Sequence, residues 1–274
     1  MLELTFPNQL DRVKESVLAQ VETLRQVARL FADALEDGGL VHLYANGHSR
    51  IAVEEWVVRM GALTGFHPLL TPGLVSFTDV VGSAGIRINQ NLERMERISP
   101  VLLDEFDIGP KDVLVVISAT GTTPTAVDMA LAWDRCYPSL PMVMIASKLQ
   151  ASQAPAKHSS GKNLIHIAQE RANTFFLDNG MPPGDLTTQI ESGTKAYYVC
   201  PLSTIGAVTL VQSLNELTIR ELIARGVDHP VMQNMHLADT KDTYDEWLRD
   251  QRRRYARAVH NPQRMEPKRS ASPE

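Results

Sequence analysis

The stretch "VLVVISATGTTPTAVDMALA", residues 113–132, runs from an unbroken apolar segment through small hydroxyl and glycine residues into a proline and a helical pattern. Five apolar residues bounded by small polar ones suit a strand buried on both faces. Thr123 before Pro124 suits a helix start, the threonine as N-cap and the proline at the first helical position. The unit is strand, loop, helix.

The same unit recurs along the chain. Short β-type runs at "LVHLYA" (40–45), "FHPLL" (66–70), "MVMIA" (142–146) and "TFFLD" (174–178) alternate with helical segments after Ser49, around Asn91 to Phe106 and from Pro124 to Tyr137. This alternation predicts an α/β fold, a doubly wound, mainly parallel five-stranded sheet flanked by helices. Ligands bind such sheets at the carboxyl ends of the strands. Three strand-to-helix loops therefore matter most: "NGHS" (46–49), "SATGTTP" (118–124) and "KLQASQAPAKHSSGKN" (148–163).

Upstream, Leu10, Val17, Leu24 and Phe31 fall seven apart, and Val13, Val21, Ala28 and Leu35 fill the same stripe. Residues 1–39 are expected to form one long amphipathic helix stopped by Gly38-Gly39. So regular a seam suits packing on its own domain and packing on a second copy equally. A single helix there leaves no helix-turn-helix. Residues 40–239 form the main domain, closing with a buried helix after Pro201. In residues 240–274, nine of 35 are Lys or Arg; a C-terminal helix followed by a disordered tail is expected, with Arg252 to Arg254 solvated.

Composition excludes several classes. With 274 residues, 43% hydrophobic and 22% charged, the chain reads as globular. Its apolar runs are too short to span a bilayer, and no signal peptide opens it, so a cytoplasmic protein without membrane contact is expected. A net charge of −5 speaks against nucleic acid. Cys136 and Cys200 have neither disulfide nor zinc spacing. There is no Walker A sequence, GxGxxG or HExxH, so neither cofactor nor metal is expected.

In the opening stretch, Thr123, Pro124 and Gly121 suffice for a capped turn. Ser118, Thr120 and Thr122 are surplus hydroxyls gathered at a helix N-terminus, where unpaired N–H groups and the helix dipole attract anions.

The pattern Ser118-x-Thr120-Gly121-x-Thr123 resembles the Ser-x-Ser-Gly-x-Thr phosphate loop of the SIS (sugar isomerase) domain family, Thr120 standing for the second serine. "ANGHS" (45–49) is similar to that family's first ligand loop, and "PLSTIGAVTL" (201–210) to the start of its last core helix. "HSSGKNL" (158–164) and "DNGMPPGD" (178–185) look like the branch described as putative phosphosugar-binding or sugar isomerase domain-containing. The resemblance spans roughly residues 5–239. It implies a flavodoxin-like three-layer sandwich, and a homodimer or homotetramer that binds a sugar or sugar phosphate, with a pocket that subunits can share.

It also implies aldose-ketose isomerisation through a cis-enediol. The alternatives within the family are a non-catalytic phosphosugar sensor or regulator and a sugar-phosphate lyase. Isomerisation needs a base for the carbon-bound proton and an acid-base group for ring opening. Glu54 and Glu55 are about 100° apart on the helix after "NGHS", so only one can face a ligand; Glu55 is preferred. His48 and His158 complete the acid-base candidates, and Glu216 stands in reserve. Ser118, Thr120, Gly121, Thr122 and Thr123 are expected to hold the anion, with Lys162 neutralising it and Ser49 and Ser203 bonding the sugar. His42 and His67 read as structural.

Overall fold

The computed structural model describes residues 4–75, 79–234, 236 and 241–259. The five expected strands form as β1 Val41–Ala45, β2 Phe66–Pro68, β3 Val113–Ile117, β4 Met142–Ala146 and β5 Thr174–Asp178. All pairs are parallel, in the order β2-β1-β3-β4-β5. The helices are α1 Leu10–Ala19, α2 Val21–Glu36, α3 Arg50–Val57, α4 Pro72–Val75, α5 Ile86–Leu92, α6 Ile98–Asp104, α7 Pro124–Cys136, α8 Lys148–Gln153, α9 Leu164–Glu170, α10 Ser203–Ala224 and α11 Lys241–Val259.

Alternate strand residues feed two cores. Val41, Leu43, Val113, Val115 and Val143 pack with Phe31 of α2, Trp56 of α3 and Leu210 of α10. On the other face Leu114, Val116, Met142 and Met144 meet Val127 and Trp133 of α7 and Leu164 of α9. Cover on both faces is the reason these strands are apolar without interruption. Among the described residues, no helix is long and apolar enough to cross a membrane.

Side chains bond the backbone at both sheet edges. The long N-terminal helix expected from the seam is divided at Gln20, where φ is −116° and ψ is 21°. The Gln20 amide lies along β5: Nε2 donates to the Asp178 carbonyl at 2.7 Å and Oε1 accepts the Asp178 N–H at 2.9 Å. At the opposite edge Gln251 accepts the Gly65 N–H at 2.8 Å, and the Tyr255 hydroxyl donates to the Phe66 carbonyl at 2.5 Å. These four backbone groups, which an open edge would expose, are thereby partnered. Of the heptad seam, Val13, Leu24, Phe31 and Leu35 are buried, while Leu10 and Val21 remain exposed.

One expectation needs correction. Arg254 is not solvated: it donates to Asp250 at 2.7 Å and to the Leu35 carbonyl at 3.1 Å, which clamps α11 to the end of α2. A hairpin also went unread, formed by β6 Leu186–Ser192 and β7 Lys195–Pro201. Its turn has Gly193 at φ +61°, a conformation open to glycine at the first turn position. Residues 260–274, expected as a tail, lie outside the described residues.

His42 and His67 are structural, as expected. Their Nδ1 atoms are 3.0 Å apart, and His42 Nε2 lies 3.0 Å from Asp112 Oδ2, all buried at the amino end of the sheet. Burial, reinforced by His42, pushes the His67 pKa down to about 3. In the unfolded chain it would titrate at about 6.5. Between those values the unfolded state binds a proton that the folded state refuses, so stability falls as pH drops, by up to about 1.4 kcal/mol per unit. His67→Asn retains a hydrogen-bonding group for His42 and is expected to flatten the dependence of Tm on pH between about 6.5 and 4.5. Parallel wild-type and variant curves would refute this role for His67.

Candidate functional site

Strand order reverses between β1 and β3, because the chain leaves β1 for β2 on one side and returns to β3 on the other. The two adjacent strand ends diverge there into separate loops and leave a crevice. A cleft of about 360 Å³ fills it, within the range of small-molecule sites. Its lining includes Asn46, His48 and Ser49 after β1, and Ser118, Thr120 and Thr123 after β3. The remaining walls come from α5 and its end, with Asn89, Gln90 and Glu93, and from Asp185, Ser203 and Thr204.

The loop after β3 is built by its own hydroxyls. Ser118 Oγ accepts the Gly121 N–H at 3.1 Å, and Thr120 Oγ1 accepts the Thr122 N–H at 3.2 Å. Gly121 has φ +70°, and an added Cβ would press on the Cβ atoms of Ala151 and Ala146 at about 3 Å. Gly121 and Thr122 therefore shape the loop from behind, whereas Ser118, Thr120 and Thr123 face the cleft. Thr123 occupies the N-cap position of α7, but its side chain makes no cap hydrogen bond; its hydroxyl lies 3.5 Å from Ser118 Oγ instead. This departs from the capping role expected of it.

The start of α10 has the opposite character. Asp185 Oδ1 accepts the N–H groups of Leu202 and Ser203 at 2.9 and 2.7 Å, and Oδ2 accepts the Ser203 hydroxyl at 2.6 Å. That helix terminus already holds a carboxylate of its own chain.

Glu93 is the cleft residue that sequence reading missed. Its backbone carbonyl accepts from both the N–H and the hydroxyl of Thr125, at 3.3 and 3.2 Å, which seats it on the first turn of α7. Its carboxyl reaches across to the first loop, where a Cβ added at Gly47 would meet Glu93 Oε1 at 2.5 Å. Gly47 has φ +54°, so a glycine is required there twice over, by conformation and by approach. Burial pushes the Glu93 carboxyl above its ordinary pKa, opposed by Arg94. Nothing in the local pattern "NQNLERMER" separates Glu93 from an ordinary helix-surface glutamate.

Other expected residues are placed elsewhere. Glu55 is outside the cleft lining, paired with Arg59 at 2.6 Å and accepting from Gln212 at 3.0 Å. Glu54 pairs with Arg50 and Glu216 with Arg220. Lys162 is also outside the lining and pairs with Glu170. Among the described residues, no Lys or Arg lines the cleft. His158 is buried behind it, Nδ1 2.8 Å from the Ser160 hydroxyl and Nε2 between Asp128 and Glu96 at 3.6 and 3.7 Å. The neighbouring Ser159 N–H donates to Glu96 at 2.7 Å, tying this loop to the segment that carries Glu93.

Residues 5–136 match the model of the SIS domain. The chain is 26% identical over 248 residues to a UPF0309 protein of Shouchella clausii, covering 90% of this chain and 94% of that one. It is 27% identical over 222 residues to a UPF0309 protein of Listeria monocytogenes, covering 80% and 83%. Among solved structures, the phosphoheptose isomerase GmhA from Neisseria gonorrhoeae is similar at 16% identity and a TM-score of 0.49, over 78% of this chain and 95% of that one.

Proposed function

We propose that the β1/β3 cleft of this chain, whose residues 5–136 match the model of the SIS domain, binds a phosphorylated or otherwise acidic sugar and interconverts its aldose and ketose forms. One observation carries the reading: the hydroxyls of Ser118, Thr120 and Thr123 in the loop leading into α7 share a single cleft with the half-buried Glu93 carboxyl, whose pKa is raised. The first arrangement suits an anion and the second suits proton transfer.

Ser118, Thr120 and Thr123, with the N-terminal end of α7, hold the anionic group. With no Lys or Arg in the described lining, hydroxyls and helix dipole carry that task. Ser49 and Ser203 bond the sugar, and the Ser203 hydroxyl, already donating to Asp185, is set to accept from a sugar OH. Glu93 takes the place expected for Glu55. It removes the proton from C2 of the open-chain aldose as the C1 carbonyl becomes the second hydroxyl of a cis-enediol, and it returns that proton to C1 as the C2 carbonyl forms. His48, also in the lining, opens the ring and moves the proton between O1 and O2. His158 is a positioning residue, acting through its loop on the segment of Glu96 and Glu93.

Binding is tested by thermal shift against sugar phosphates and sugar acids. A ligand at about 100 times its Kd should stabilise the protein by about 2.7 kcal/mol. Thr120→Val should abolish that shift with the unliganded Tm nearly unchanged. No shift with any member of the panel would overturn the reading. A shift without turnover would point to a sensor, and elimination products would point to a lyase that uses the same base.

A further inference from the structure

The donors that the loop after β3 turns to the cleft are chiefly hydroxyls. Several of its N–H groups are spent inside the chain: Gly121 donates to Ser118 Oγ and Thr122 to Thr120 Oγ1. In the first turn of α7, Pro124 has no N–H, Thr125 donates to the Glu93 carbonyl at 3.3 Å and Ala126 to the Thr123 carbonyl at 3.0 Å. The hydroxyl hydrogens of Ser118 and Thr120 stay available, because accepting an N–H uses only an oxygen lone pair. Thr123, which makes no cap bond, adds a third.

The charged groups around these hydroxyls are acidic. Among the described residues the lining holds two carboxyls, Glu93 and Asp185, with His48 and without Lys or Arg. Arg50, at the start of α3, donates to the Gly47 carbonyl at 3.3 Å and pairs with Glu54; Arg94, beside Glu93, is outside the lining. Asp185 is met by the start of α10, whereas Glu93 stands against the first loop at Gly47. Burial already pushes the Glu93 carboxyl up. Each further negative charge in the cleft would push it higher, since like charges disfavour the ionised form. A base must be ionised to take a proton, so a doubly charged ligand would disarm it where a singly charged one does so far less.

Resting on the cleft reading given above, we propose that the acid group this site takes carries a single negative charge: a sugar carboxylate or sulfate ester, or a phosphate monoester that keeps one proton. Hydroxyls suit such a group on two counts. They donate to its charged oxygens, and each can also accept the proton of a P–OH, which a lysine or arginine cannot do. A fully ionised phosphate is matched instead by guanidinium and ammonium groups, whose charge-assisted bonds are about twice as strong as neutral ones. The ligand is thereby narrowed from acidic sugars in general to those whose acid group holds one charge when it binds.

Matched probes test it by calorimetry on the full chain. Glucose 6-phosphate and glucose 6-sulfate differ in charge but hardly in shape, the two galactose 6-esters repeat the comparison, and glucuronate supplies the carboxylate. The phosphate monoester loses its second proton at a pKa of about 6, so at pH 8 only about one molecule in 100 is singly charged, while the sulfate ester carries one charge throughout. The sulfate should therefore bind more tightly than the phosphate by about 100-fold at pH 8 and by less than about threefold at pH 5.5. Titration of Glu93, Asp185 and His48 acts on both probes, so the ratio reports the ligand's own proton. Whichever of sulfate and glucuronate binds more tightly identifies the acid. Glu93→Gln should tighten glucose 6-phosphate about tenfold at pH 8 and the sulfate by no more than about threefold, because the repulsion doubles with the second charge. A ratio that does not move with pH, a phosphate bound more tightly than the sulfate at pH 8, or equal effects of Glu93→Gln on the two would overturn the proposal and leave the cleft reading standing. Absence of binding by every probe would overturn it too and, with no Tm shift in the wider panel, the cleft reading as well.

Discussion

Glu93→Gln is expected to lower turnover of an accepted sugar by about 10²- to 10⁴-fold, the range over which a positioned acid-base group acts, while ligand binding survives. Gln is nearly isosteric with Glu, so the contact of residue 93 with Gly47 and its backbone bonds to Thr125 are retained. Only the capacity to take a proton is lost. The fall should therefore appear in kcat, with KM changing little, as for an interaction made in the transition state alone. Incorporation of deuterium from solvent at C2 should stop together with turnover. Glu55→Gln is the control that makes the assignment specific: paired with Arg59 and Gln212 outside the cleft, it should change turnover less than tenfold. If Glu93→Gln keeps wild-type turnover, or if Glu55→Gln is the variant that loses it, the base is misassigned. Because burial raises the Glu93 pKa, the acid limb of kcat/KM should lie above the ordinary carboxylate range, near 4.3, and should vanish in the variant.

The contrast between Glu55 and Glu93 shows where sequence reading ends. The sheet was legible because its strands are covered on both faces, and that cover writes unbroken apolar runs such as Val113 to Ile117. The loops at the strand ends were legible because glycine, proline and small hydroxyls are required by backbone geometry. Glu93 was not, because its chemistry comes from approach: a segment distant in sequence crosses the mouth of β1, and the missing side chain at Gly47 admits the carboxyl. Glu55 follows a ligand loop closely, yet its direction on α3 is set by the packing of Ala52, Val53 and Trp56 into the core. That packing leaves Glu55 beside α10. The hairpin was obscured because two short runs with half-polar alternation look like a loop until their register is known. Gly193-Thr194 between them was the available signal.

Asp112→Ala should cost about 3–5 kcal/mol, the usual loss when one partner of a buried charged network is removed. Asp112 is fully buried directly before β3. Its oxygens accept the N–H of Leu40 at 2.8 Å, the N–H of Gly109 at 2.7 Å and Arg257 Nη2 at 2.7 Å, beside His42 Nε2 at 3.0 Å. Burial alone would raise its pKa, but His42, Arg257 and the Gly109 N–H outweigh burial and hold it below the carboxylate range. Alanine leaves those donors facing an apolar gap, and each buried donor without a partner carries its own desolvation penalty. Against a total stability of about 5–15 kcal/mol the loss is severe, and Tm should fall by on the order of 10 °C. Its consequence for function should be small at temperatures where the variant is folded. Asp112 joins β1, β3 and α11 at the amino end of the sheet, one strand length from the cleft at the carboxyl end. Ligand affinity and kcat should therefore match wild type within about threefold, since sites that share no partner act additively. A loss of affinity parallel to the loss of stability would mean that the strand ends carrying Gly47 and Ser118 are held in place by this network, and that scaffold and site are not separate.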